Sequence, residues 1–125
     1  MITAPNTQPS GEFIERKISI IQKCMDWIAS ANQLEKESDK KVNIQFVSEA
    51  LEEWEQSPEG CPYLGDAEKW RGYAFGSANA FFIGIYQMDY SIDRIATYLE
   101  LCLSSLLESR QLHNDFTNAI NNLSE

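Results

Sequence analysis

Between Tyr73 and Tyr86 the chain reads YAFGSANAFFIGIY, a run with two clearly polar side chains, Ser77 and Asn79. Apolar residues fall on every side of a helical wheel drawn through it, the pattern of a helix buried all round. Gly72, Gly76, Ala80 and Gly84 recur every fourth residue and share one face. A glycine inside a helix costs roughly 1 kcal/mol against alanine. Close approach would justify that cost, because a residue without a Cβ lets a second backbone pack tightly. The spacing therefore predicts a central buried helix over about residues 66–88, capped by Asp66. It is glycine-striped on one side and filled by Trp70, Phe75, Phe81, Phe82, Ile85 and Tyr86 on the others.

The flanking segments have helical periods of their own. Ile14, Ile18, Ile21, Met25 and Ile28 alternate steps of four and three, and Phe13, Ile20, Cys24, Trp27 and Leu34 widen the apolar face. Glu15, Arg16, Lys17, Lys23 and Asp26 form the polar side of this first helix, which Ser10 can cap. EKESDKK at 35–41 reads as a charged connector in which Ser38 or Asp39 can start a second helix, its inner face set by Ile44, Val47, Leu51 and Trp54. VNIQFV at its start also alternates like a strand, but the glutamates of SEALEEWEQ favour helix. SPEGCPYLG at 57–65 is a proline- and glycine-dense loop. It is either a binding surface or a segment that tucks Tyr63 and Leu64 onto the core. Ser91 can cap a fourth helix facing inward with Ile92, Ile95, Ala96, Leu99, Leu103, Leu106 and Leu107. His113-Asn114-Asp115 reads as a break, after which Asp115 can cap a short last helix with Phe116, Ala119, Ile120 and Leu123 facing inward. The expectation is all-α: a compact bundle of four main helices plus a short C-terminal one, in a single domain over 10–125 behind a loose tail at 1–9.

Charge narrows the function. Nineteen acids against ten bases give a formal net charge of −9. The excess is concentrated at 35–69, where ten acids face four lysines. Such a field repels nucleic-acid phosphates and anionic membranes and favours basic partners. Cys24, Cys61 and Cys102 are odd in number and lack Cys-x-x-Cys spacing, which argues against a disulfide framework and a zinc cage. No charged-then-apolar leader opens the chain, and the apolar run Tyr73–Met88 is shorter than the ~20 residues of a membrane-spanning helix. A cytoplasmic protein is expected.

Chemistry-bearing motifs are sparse. His113 is the single histidine, at a site expected to be a helix end, where its charged form is favourable. There is no inward-facing Glu-x-x-His pair, EF-hand loop, P-loop or dinucleotide fingerprint. Neither metal nor cofactor is expected, and the chain is read as non-enzymatic. Ile95, Ala96, Leu99, Leu101 and Leu106 resemble helix-turn-helix spacing within 91–112. Glu100 stands where that motif wants its turn glycine, however, and Ser109 where it wants an apolar anchor. One continuous amphipathic helix fits better.

EKWRGYAFGSANAFFIGIYQMDYSID resembles small uncharacterised acidic helical proteins encoded by phages and prophages. The likeness rests on Trp70, Arg71, Gly72, Phe75, Gly76, Ser91, Ile92 and Asp93, about a quarter of the chain. It implies a setting in which small acidic proteins inhibit a host or rival nucleic-acid-handling or defence protein. The leading expectation is a binding protein that blocks a basic surface of a protein partner through Glu49, Glu52, Glu53, Glu55, Glu59 and Tyr63. The alternatives are a structural subunit acting as a homodimer or larger homo-oligomer, and a helix-turn-helix DNA-binding regulator.

Overall fold

Isoleucines spaced three and four apart line one side of α1 (Gly11–Gln33), and Ile14, Ile18, Ile21 and Ile28 are all buried, with Phe13, Cys24 and Ala31 beside them. The computed structural model describes residues 11–54, 64–82 and 88–123. The expected tail at 1–9 and the Ser10 cap lie outside them. Chain reversal takes three residues, 34–36, tied by the Leu34 N–H donating to the Ala31 carbonyl at 3.2 Å.

Helix α2 (Glu37–Glu52) begins inside the expected connector, so Lys36 rather than Ser38 or Asp39 holds the N-cap position. Glu37 and Asp39 fall in its first turn, where the positive end of the helix dipole favours acids. The strand-like VNIQFV is helical: Ile44 and Val47 are buried one turn before Leu51, while Val42 and Phe46 face outward. The Asn43 amide donates to the Trp27 carbonyl at 3.0 Å and locks α2 to α1.

Helix α3 (Gly65–Phe82) corrects the strongest expectation from sequence. It is two-sided. Ala67, Ala74, Ala78 and Phe81 are buried, whereas Gly72, Gly76 and Asn79 are exposed and Tyr73 is 52% exposed. A Cβ built at Gly72 or Gly76 would meet nothing within 4 Å. At 100° per residue the glycines lie half a turn from Ala74, on the opposite side of the helix. Close approach to the neighbours is provided by alanines, which are small enough for it and cost the helix nothing. Asp66 lies in the first turn rather than at the cap. Gly84, Ile85 and Tyr86 lie outside the described residues.

Helix α4 (Met88–Leu123) is unbroken. It starts three residues before Ser91, and no break or separate short helix follows His113-Asn114-Asp115; Leu107, Phe116, Ala119, Ile120 and Leu123, expected to face inward, are exposed. Those residues are weak helix formers but not breakers, and extending an existing helix is far easier than nucleating a new one. The Gln111 amide also donates to the Asp115 carboxylate at 2.8 Å, one turn along. Because the helix runs straight through 91–112, that stretch has no turn for a helix-turn-helix to use.

Each helix packs on its sequence neighbours, and α4 closes the ring against α1. Neighbours run antiparallel. Glu15 meets Arg110 at 3.0 Å at one end of the α1–α4 pair, while Ile28 lies beside Ala96 at the other. Across α3 and α4, Cys102 reaches the Ala67 carbonyl and Tyr73 packs on Tyr98. The result is an up-down-up-down four-helix bundle. Among the described residues no helix is long and apolar enough to cross a membrane.

Candidate functional site

The end of the bundle where α2 stops and α3 starts contains most of the charge chemistry. Lys17, assigned by sequence to the polar side of α1, is 1% exposed. Its ammonium lies 4.0 Å from the Trp54 ring centroid, 4.6 Å from that of Phe13, and 3.7 Å from Glu68 Oε1. Trp54 Nε1 in turn donates to Glu68 Oε2 at 2.8 Å. A buried ammonium needs a counter-charge and favourable ring faces to offset lost hydration, and this one has both. Lys17 sits three residues after Ile14 and four before Ile21, so the helical spacing already placed it among the buried isoleucines.

Arg71, half-buried on α3, donates from Nη1 to the Leu51 carbonyl at 3.1 Å, supplying a cation to the C-terminal carbonyls of α2. Its Nε is buried with no hydrogen-bond partner among the described residues. Cys102 and Cys24 are free, buried thiols. Burial pushes both up to about 12, with Glu68 adding to the effect at Cys102. Burial thus disfavours in both the thiolate that nucleophilic chemistry needs. His113, expected at a helix end, lies inside α4, half-buried, with Nδ1 unpartnered among the described residues. No group of three or more His, Cys, Asp and Glu that could hold a metal occurs among the described residues.

On the solvent side of the same helix end stand Glu49, Glu52 and Glu53, all exposed as their phase to Leu51 and Trp54 implied. Glu53 is the C-cap residue, and the last turn of α2 carries no basic residue. The negative end of a helix dipole disfavours acids there by roughly 0.3–1 kcal/mol each. None of the three is ion-paired among the described residues. Glu49 accepts one hydrogen bond, from the Gln45 amide at 3.2 Å. Glu55, Glu59, Cys61 and Tyr63 lie outside the described residues. Leu64 at the end of that loop is fully buried, so there the chain does tuck onto the core.

A second surface feature lies where the glycine stripe emerges. Gly72, Gly76 and Ala80 floor an open groove of about 300 Å³, with Tyr73, Tyr98 and Arg94 among its walls. Trp70, Tyr73 and Tyr98 pack as a triangle with centroids 5.5–5.9 Å apart.

No protein family matches the chain, and no curated protein or solved structure matches it.

Proposed function

We propose that this chain is a non-enzymatic binding protein that presents the acidic outer side of the α2 C-terminus to a basic surface of a protein partner. One observation carries the proposal: three exposed carboxylates occupy the last turn and C-cap of α2, at the negative helix end, without cation partners among the described residues. Local energetics favour lysine or arginine there. A basic partner surface would supply the missing cations, and the carboxylates would stand where phosphates stand on a nucleic acid. Inhibition of a nucleic-acid-handling or defence protein, as the phage-protein resemblance implies, is the form of binding that fits such mimicry.

A short oligolysine peptide titrated into the isotopically labelled chain at low salt tests the proposal. Amide shifts centred on residues 48–54, abolished in a Glu49→Lys/Glu52→Lys/Glu53→Lys variant, are the expected result. Shifts spread evenly over Glu15, Glu35, Glu100 and Glu108 would reduce the interaction to net charge and remove the site.

A further inference from the structure

We propose that the projecting end of α4 is a self-association surface, on which the same segment of a second copy packs antiparallel. From Gln111 onward every described side chain is exposed except the half-buried His113. Roughly 20 Å of helix thus extends past the last buried turn, at Ser109. Its sequence is ill-suited to stand alone. Asn114, Asp115, Thr117, Asn118, Asn121 and Asn122 are weak helix formers. Isolated helices of about a dozen residues are marginal in water even when rich in alanine.

The segment does have an apolar stripe. Leu112, Phe116 and Ile120 are each more than two-fifths exposed, and Leu123 is 86% exposed. Spaced four, four and three, they fall on one side of the helix. Together they expose roughly a few hundred Å² of contiguous apolar surface, the size at which such a patch marks an interaction site.

Charge selects the occupant. Asp115 is the sole acid between 111 and 123, and no lysine or arginine accompanies it. A bilayer-binding helix carries lysine or arginine along its polar face, and this one has none. A basic partner is drawn to α2 instead. In a chain of net charge −9, two copies repel over most of their surface. They can approach without that penalty on a nearly uncharged face. The stripe is also self-complementary. In an antiparallel pair centred on Phe116, Leu112 of one copy lies over Ile120 of the other, in both directions, as a two-fold axis requires. Pairing surfaces of this size bury about 800–1,200 Å² in total, the lower end of specific interfaces, where weak and transient pairs lie.

This surface is independent of the α2 glutamates, so reversing those charges leaves it intact. Sedimentation velocity on the full chain, from about 0.5 to about 500 µM to span weak association, should show a reversible rise toward twice the 14.3 kDa mass. Phe116→Glu with Ile120→Glu should hold the protein monomeric across that range with the bundle still folded, because both positions lie on the exposed side of α4 beyond its last buried turn. Val42→Glu, at a similarly exposed apolar position on α2, should dimerise like the wild type. Hydrogen exchange at 112–123 should slow as concentration rises. A monomer throughout the range would overturn the proposal, as would dimerisation that survives the double substitution or is lost in Val42→Glu. Protection of 112–123 that does not depend on concentration would also overturn it, by showing that the chain covers its own helix.

Discussion

The two sides of the α2 C-terminus treat charge in opposite ways. Inward, Lys17 has two ring faces and the Glu68 carboxylate, and Arg71 hydrogen-bonds the Leu51 carbonyl. Outward, Glu49, Glu52 and Glu53 stand at the negative end of the helix with no cation among the described residues. Charges that hold the bundle together are given partners from its own helices. Charges left bare where the backbone disfavours them lie on the surface free to meet something else.

The largest effect should come from breaking the inward side. Lys17→Ala removes the cation beneath Trp54 and opens a cavity at a fully buried position, and should cost about 3 kcal/mol in urea unfolding. Lys17→Met keeps the volume and the contacts with Phe13 and Trp54, while the quarter-exposed Glu68 can turn to water. It should lose about 1 kcal/mol or less. Equal losses in the two variants would mean that shape plays no part in how this site is held.

The buried thiols sharpen the same side. Burial raises both from 9.0 to about 12, so the folded state holds these protons more tightly than the unfolded chain. The stability that follows from this is complete below pH 9 and is lost as pH rises toward 12, by on the order of a few kcal/mol. In a Cys24→Ala/Cys102→Ala variant the urea midpoint should fall less steeply across that window. An unchanged slope would place the alkaline transition on other groups.

Glycines on the outer surface of α3 offer a gain. Gly72→Ala and Gly76→Ala each place a methyl where nothing lies within 4 Å, so each should stabilise by about 0.5–1 kcal/mol, measured as a higher thermal midpoint. A loss would mean that something packs closely on this stripe after all.

Why the sequence disclosed some of this and not the rest can be traced to particular residues. The inner faces of α1 and α2 were legible because large aliphatic residues repeat at helical spacing with polar residues between them, as Ile14, Ile18 and Ile21 do. The exposure of Glu49, Glu52 and Glu53 followed from the same phase. In α3 the buried side is built from Ala67, Ala74 and Ala78, so two stripes of small residues competed and glycine was the more conspicuous. Periodicity has no term for which small residue pays less to be helical. The continuity of α4 was hidden because Asn114 and Asp115 look like punctuation, whereas an advancing helix passes through weak formers unless glycine or proline stops it. Lys17 was missed because a lysine on an apolar face usually extends its ammonium to water. Only the three-dimensional meeting of α1, Trp54 and α3 shows where this one ends.

Thermal unfolding of the Glu49→Lys/Glu52→Lys/Glu53→Lys variant tests most directly whether the outward carboxylates work against the fold. The matched control is Asp26→Lys/Glu100→Lys/Glu108→Lys, which changes net charge equally at exposed mid-helix positions. If the α2 end is held at a cost, its reversal should raise stability by about 1 kcal/mol more than the control does. Equal midpoints in the two variants, or a lower one for the α2 reversal, would show that those carboxylates belong to the fold and would contradict their assignment to a partner.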